Sequence, residues 1–437
     1  MKLGVVSLGC VKNRVDTEEM LSFLQEDGFQ FVQDASQAQV LVVNTCGFIA
    51  SAKEESIDAI LEMAQYKQQG QCQVLCVTGC LAQRYGQELL DQIPEIDVLT
   101  GVSQYPQLAG YIRQALAGER AGSTQRGADF AGCGRVLTTA PYTAYVRVSE
   151  GCDNRCAYCA IPLIRGGFRS RPMADVLKEM RGLAAEGVKE QILIAQDTTR
   201  YGSDLRDASL PALLREAERI PGIRWLRVLY CYPEQTDRSM IDAMASNSKL
   251  CRYLDLPLQH AAPRVIKRMN RRGDIRQMEQ VLAYARDRGF ALRTTMIVGF
   301  PGETEEDFQQ LMAFCARVRF DRLGAFAFSP EEDTAAWYMP DQVPEAIKQQ
   351  RLEALMAMQQ QISLERNQER VGSQVEMLVT SVRGKQATGR SAWEAPDSDG
   401  LIRISHSGRL REGQFIQARI TGAATYDLSA QALEEDK

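Results

Sequence analysis

Six of the twelve cysteines stand where sulfur could do metal chemistry. Cys152, Cys156 and Cys159 follow an apolar run at a C-x3-C-x2-C spacing. Three thiolates from one tight loop can hold three irons of a [4Fe–4S] cube. The fourth iron then lacks a protein ligand and is open to a small molecule. A structural zinc site needs a fourth Cys or His, and none follows nearby. A disulfide would leave an odd thiol and is disfavoured in a reducing compartment. Cys10, Cys46 and Cys80 lie far apart in sequence, yet each ends an apolar run and precedes a helical stretch. In a parallel sheet such ends converge on one edge, so these three could form a second three-ligand site. The alternative is three unrelated core cysteines. Cys72 and Cys76 lack that placement and read as ordinary thiols. Cys133 has no motif around it and reads as a free thiol.

Bulk properties narrow the remaining chemistry. The only histidines are His260 and His406, so a histidine metal site or a Ser–His nucleophile is not expected. A net charge of −5 and a pI near 5.5 argue against a broad RNA-binding surface. No stretch approaches the ~20 apolar residues of a membrane span. Residues 1–6 run straight into a strand-like segment, so no secretory signal is expected and the cytoplasm is the default location.

The elements that must position the cysteines alternate along 437 residues, enough for about three domains. Residues 3–8, 40–43, 74–78 and 96–99 suit buried parallel strands. Helical stretches at 15–26, 51–68 and 105–116 lie between them, which predicts a small doubly wound α/β domain over 1–118. Residues 119–141 are glycine-rich and predict a linker. From 142 to 371 six strand candidates (145–148, 191–195, 226–230, 252–256, 292–298, 323–328) alternate with helices. These predict a partial (β/α)6 barrel, short of the eight units of a closed one. A long helix over 344–370 follows, with Pro344 at its start. Residues 372–437 alternate apolar and polar between glycines, which predicts a small antiparallel β-barrel. Ala195-Gln196-Asp197-Thr198-Thr199 sits at a strand end, where a barrel places its site; Asp197 either binds cofactor or substrate, or caps a turn.

The loop Gly151-Cys152-Asp153-Asn154-Arg155-Cys156-Ala157-Tyr158-Cys159 resembles the signature of radical S-adenosylmethionine enzymes. Val298-Gly299-Phe300-Pro301-Gly302-Glu303-Thr304 is similar to that family's fifth-strand turn, which lies against the cofactor, and it also reads as a turn capping the next helix. Ser7-Leu8-Gly9-Cys10-Val11-Lys12-Asn13, Val43-Asn44-Thr45-Cys46 and Thr78-Gly79-Cys80-Leu81-Ala82-Gln83-Arg84-Tyr85 resemble the three segments of the methylthiotransferase N-terminal domain. The tail resembles that family's substrate-recruiting barrel of the TRAM kind. The resemblance thus spans essentially the whole chain.

It implies two [4Fe–4S] clusters, one on Cys152, Cys156 and Cys159 and one on Cys10, Cys46 and Cys80. It also implies S-adenosyl-L-methionine as cofactor, with Gln196, Asp197, Gly299, Phe300, Pro301, Gly302 and Glu303 as its contacts. Asn13 and Asn44 either shape the surroundings of the second cluster or make turns and caps. Asp255-Leu256-Pro257-Leu258-Gln259-His260-Ala261, Tyr230-Cys231-Tyr232-Pro233 and the stretch at 195–199 resemble the ribosomal-protein branch, whereas tRNA branches usually carry Gln-Ser-Gly at the first of these. The segment 389–400 is acidic, and residues 371–437 hold eight Lys/Arg against nine Asp/Glu. Phosphate neutralisation wants a basic surface, so an acidic barrel suits a basic ribosomal protein better than tRNA. One stretch departs from the family pattern: Gly167 and Phe168 stand where a more polar or basic pair is expected.

The activity so implied is methylthiolation of the β-carbon of an aspartate in small-subunit ribosomal protein twelve. That C–H is not acidic enough for a general base, so homolytic abstraction is the feasible route. A radical from the central cluster would take the hydrogen, the second cluster would supply sulfur, and a second S-adenosylmethionine the methyl group. Implied partners are the ribosomal protein, an electron donor such as flavodoxin and the ribosomal subunit; no membrane is implied. The rival readings are the same chemistry on a tRNA adenosine, and a two-cluster electron carrier or sensor without catalysis.

Overall fold

Short apolar runs build a six-stranded sheet at the N-terminus. Its elements are β1 (Lys2–Ser7), α1 (Val11–Glu26), β2 (Gln30–Phe31), β3 (Val40–Thr45), α2 (Ala50–Gln69), β4 (Val74–Gly79), α3 (Cys80–Gln92), β5 (Val98–Thr100), α4 (Leu108–Leu116) and β6 (Ala121–Ser123). The strands run parallel in the order β2-β1-β3-β4-β5-β6. β3 and β4 are buried along their whole length, which is why they are near-continuous Val and Leu. Met20 and Leu24 of α1 and Leu108 and Ile112 of α4 cover one face. Ile60 and Met63 of α2 and Leu81 and Leu89 of α3 cover the other. The doubly wound domain is therefore as the alternation predicts. The edge strands β2 and β6, two and three residues long, are too short to show a period and were not foreseen.

The computed structural model describes residues 1–126, 134–384, 386–406 and 408–433, in two units. Cys133 lies outside the described residues. The first unit joins Met1–Ala140 to Tyr145–Arg171 and Ser329–Trp337. It thus holds both cysteine triads, with the end of β7 (Thr143–Arg147), then β8 (Ser149–Glu150), α5 (Ile161–Arg165) and β9 (Arg169–Ser170). β8 and β9 pair antiparallel and close the base of the central cysteine loop.

The second unit continues the alternation with α6 (Met173–Ala185), β10 (Glu190–Ile194), α7 (Leu210–Glu218), β11 (Trp225–Val228), α8 (Arg238–Ala245), β12 (Tyr253–Asp255), α9 (Pro263–Arg268), α10 (Ile275–Asp287), β13 (Ala291–Val298), α11 (Glu305–Val318) and β14 (Arg322–Ala327). Parallel strands form sheets β11-β10-β7 and β12-β13-β14, and the Leu226–Leu250 bridge continues one towards the other. These are the six strands of the expected partial barrel. Its helices bury one stripe: Leu210, Leu213, Leu214 and Ala217 in α7, and Met278, Val281, Leu282 and Ala285 in α10, each at i, i+3, i+4, i+7. Among the described residues no helix is long and apolar enough to cross a membrane.

α12 (Glu345–Gln368) leads to β15 (Gln374–Arg383), β16 (Gln386–Ser391), β17 (Ile402–Ser405), β18 (Phe415–Ala423) and β19 (Leu428–Ala432), a closed barrel in the order β15-β16-β17-β19-β18. Four pairings are antiparallel, as expected. The fifth, β17 with β19, is parallel: β18 comes between them in the chain and pairs with β19 on its other side.

The acidic tail segment corrects the reading made of it. The Glu394 carboxylate is buried on Arg370, Arg322 (3.3 Å) and Ser391. Asp399 accepts from the Tyr253 hydroxyl at 2.7 Å. Glu394 is therefore an internal counter-charge and Asp399 an internal hydrogen-bond acceptor, and neither offers a surface to a basic partner. Glu190 plays the same part as Glu394, gripped by Arg227 (3.1 Å) and Arg390 (2.5 Å).

Candidate metal centres and cofactor cradle

The strand register brings Cys10, Cys46 and Cys80 to one edge. Ser7 sits opposite Asn44, and Asn44 opposite Thr78, in the three adjacent strands β1, β3 and β4. Cys46 and Cys80 are the first residues beyond β3 and β4, and Cys10 lies in the turn after β1. The chain leaves β1 for β2 on one side while β3 lies on the other, so this is the switch point where open α/β sheets bind ligands. Gly9 has φ of +87°, and a Cβ there would stand 3.0 Å from the Cys46 sulfur. The turn carrying Cys10 thus presses directly on Cys46.

Cys46 and Cys80 are buried, while Cys10 is exposed. Burial pushes the Cys46 thiol up and the Cys80 thiol up to about 12; the neighbouring cysteines add to both, and Arg165 opposes them. A thiolate at either position would need a compensating cation, which an iron centre would supply. Among the described residues, no three Cys, His, Asp or Glu side chains are drawn around a common point as around a single ion. A cube asks for something wider, since each thiolate binds a different iron. Three strand-end thiols around an open edge fit that group.

Polar residues behind this edge fix its shape. Asn13 Nδ2 donates to the carbonyls of Leu8 (3.1 Å) and Thr45 (2.9 Å). Asn44 Nδ2 donates to the Asn13 carbonyl (3.0 Å) and the Thr17 hydroxyl (2.8 Å). Asn44 thus ties β3 to α1, the turn-making alternative, while Asn13 reaches the cysteines: its Oδ1 lies 3.3 Å from the Cys80 sulfur. Cys72 and Cys76 are buried in the sheet core, as their placement suggests.

The central triad is built locally. The Cys152 N–H donates to the Gly166 carbonyl (3.0 Å) and the Cys159 N–H to that of Cys156 (3.0 Å). All three cysteines are half-buried. Gly151 has φ of +76°, and a Cβ there would come within 2.0 Å of the Gly167 carbonyl, so no side chain fits. Phe168 is buried and its N–H donates to Asp153 (3.1 Å), so the unusual Gly167–Phe168 pair packs against the loop. The segment 329–337 also belongs here. Glu331 is buried on Lys53 and Arg84, both at 3.0 Å, and the Ala336 N–H donates to the Ala157 carbonyl (2.8 Å).

Four residues of this unit were not read from sequence. Arg165, Arg147, Asp16 and Glu150 form a buried charge network beside Cys80. No spacing announces it. α1 buries Asn13, Asp16, Thr17 and Glu18 together, and these polar residues are meaningful only once their burial is known.

In the second unit the remaining motif residues gather at the carboxyl ends of the barrel strands. Asp197 is buried and caps a turn, accepting from Thr199 Oγ1 (2.7 Å) and the Arg200 N–H (3.3 Å). The next stretches bond to it and to each other: Tyr232 N–H to Thr199 Oγ1 (3.1 Å), Thr198 N–H to the Tyr230 carbonyl (3.0 Å) and Tyr230 N–H to Asp255 (2.8 Å). Gln196 is half-buried beside them. The Glu303 carboxylate turns inward, accepting from the N–H groups of Gly299 (2.7 Å) and Phe300 (3.1 Å) and from Arg351 (2.9 Å). It braces its own turn. His260 Nδ1 accepts from the Ala262 N–H, and its Nε2 faces Glu303 at 3.5 Å. Phe300 is buried edge-on to Phe328, and Thr304 with Asp307 forms a capping box for α11. Pro301 and Gly302 complete the turn, Gly302 donating to the Asp341 carbonyl (2.7 Å).

Residues 2–101 match the uncharacterized protein family UPF0004, 146–315 the radical SAM superfamily and 371–433 the TRAM domain. Over 438 residues the chain is 47% identical to ribosomal protein uS12 methylthiotransferase RimO of Desulforudis audaxviator, covering 99% of this chain and 97% of the relative. The protein of the same name from Pelotomaculum thermopropionicum is 49% identical, with 99% of both covered. The chain belongs to the RimO methylthiotransferase family. It is accordingly a radical S-adenosylmethionine enzyme that uses [4Fe–4S] chemistry. Among solved structures, the radical S-adenosylmethionine methyltransferase TsrM from Kitasatospora setae, with cobalamin and [4Fe-4S] cluster bound, is similar in fold: TM-score 0.55 at 16% identity, covering 77% of this chain and 73% of that one.

Proposed function

We propose that this RimO-family enzyme installs a methylthio group on the β-carbon of an aspartate of ribosomal protein uS12. In this reading Cys152, Cys156 and Cys159 ligate one [4Fe–4S] cluster and Cys10, Cys46 and Cys80 a second. When bound, S-adenosylmethionine and the two clusters supply a 5′-deoxyadenosyl radical, the sulfur and the methyl group. The chain's own residues hold and shield. The loop gives three thiolates and no fourth, which keeps one coordination position for the cofactor. The Gly299–Glu303 turn, stiffened from inside by Glu303, together with Gln196 and Asp197, forms the cofactor rim. Residues 1–118, 142–371 and 372–437 act as sulfur-supplying, radical-forming and substrate-recruiting parts, with 119–141 linking the first two. A one-electron donor such as flavodoxin feeds the central cluster in the cytoplasm, and the substrate is met on or off the small ribosomal subunit.

The observation that supports this reading most is the meeting of three strand-end cysteines at the switch point, in a chain that also carries the C-x3-C-x2-C loop. Mass spectrometry of uS12 and of tRNA from a strain lacking this gene tests it. The methylthio mass should vanish from uS12 and persist on tRNA. Loss from tRNA alone would replace the proposed substrate with a nucleotide.

A further inference from the structure

Arg165 leaves the central cysteine loop and ends against the other triad. It closes α5, six residues after Cys159, and is buried. Its Nη1 donates to Glu150 (3.1 Å); its Nη2 reaches Asp16 (2.7 Å), Asn13 Oδ1 (2.6 Å) and the Cys80 sulfur (3.5 Å). Asp16 and Glu150 are shared with Arg147, which also holds Glu19. One rigid planar fork thus faces four partners, the two Nη2 hydrogens being shared among Asp16, Asn13 and Cys80.

The orientation of Asn13 makes this arginine necessary. Its amide nitrogen is committed to two carbonyls, so Oδ1 must face Cys80. A neutral thiol can donate across that 3.3 Å gap. A metal-bound thiolate cannot, and it would meet a carbonyl-type oxygen with no hydrogen between them. The Arg165 Nη2 lies against both atoms and places shared, positively charged N–H groups between them, which replaces the repulsion with attraction.

We infer that Arg165 is a positioning residue for the Cys80-ligated cluster, donating to the Cys80 thiolate and so raising that cluster's reduction potential. Hydrogen bonds to cluster sulfurs act in this direction by stabilising the more negative, reduced state. The inference rests on the ligand assignment above. It also means that one side chain couples the loop of one cluster to the ligand of the other.

The test is a redox titration followed by electron paramagnetic resonance. The parent is the full chain carrying C152A, C156A and C159A, which leaves the second cluster as the only signal. R165Q in that parent should keep about four irons per chain and shift the midpoint to more negative potential. R165K, with the charge but without the fork, should fall between the two. A midpoint unchanged in both variants at full iron content overturns the inference. Should R165Q lose its cluster, R165K alone decides: its midpoint must lie below that of the parent. A parent without iron while Arg165 is intact overturns the ligand assignment itself, and the two failures are thereby told apart.

Discussion

The two cysteine triads are assembled by opposite means. Cys152, Cys156 and Cys159 come from one loop of eight residues, pinned at its base by Gly151, Gly166 and the β8–β9 pair. Cys10, Cys46 and Cys80 come from three strands, and only the parallel register makes them neighbours. The loop triad is half-buried, which suits the cofactor access proposed for it. The sheet triad has two buried members beside a charge network. A local site is easily specified and stays open. A site assembled from distant segments borrows rigidity from the sheet, at the cost of burying polar groups that all need partners.

The comparison breaks most sharply at Cys156. C156A should reduce 5′-deoxyadenosine formation to background and leave about four of eight irons bound; cleavage at the wild-type rate would show that the loop is not the radical-forming site. C46A should also remove about four irons, yet retain measurable 5′-deoxyadenosine formation while methylthiolated product disappears. If both activities vanish together in C46A with the loop cluster intact, the division of labour between the triads is wrong.

Smaller effects probe the scaffold. Glu190 belongs to the second unit, whereas both triads belong to the first. E190Q should lower that unit's stability by about 3–5 kcal/mol, because Arg227 and Arg390 lose their buried counter-charge; urea denaturation reads this, and cluster content should not change. Burial alone would push the Glu190 carboxyl up, but Arg390 and Arg227 override it and hold it at about 2. A depressed folded value means stability present above the ordinary value of 4.5 and lost as pH falls towards 2. E190Q should therefore be less acid-sensitive than the wild type across that window. Smallest of all, C76V exchanges a buried core thiol for a group of similar volume. It should cost under about 1.5 kcal/mol with full iron content, which separates a core cysteine from the three that end strands.

Much of this was legible along the chain. The C-x3-C-x2-C loop needed no fold, since its spacing alone puts three sulfurs within reach. The strands β1, β3 and β4 were visible as apolar runs because both their faces are covered. The edge strands β2 and β6 were not, being too short to carry a pattern. The acidic stretch 389–400 misled, because sequence shows that Glu394 is charged but not that Arg370 and Arg322 enclose it.

Residue types and spacing by themselves singled out the six cysteines and determined the alternation of strands and helices and the class of chemistry, because those signals are local and periodic. Tertiary structure alone decided that Arg165 touches Cys80, that Asn13 turns its oxygen to that sulfur and that Glu303 faces inward. Each of these depends on which distant groups share a dry interior, where every unpaired charge or donor must find a partner.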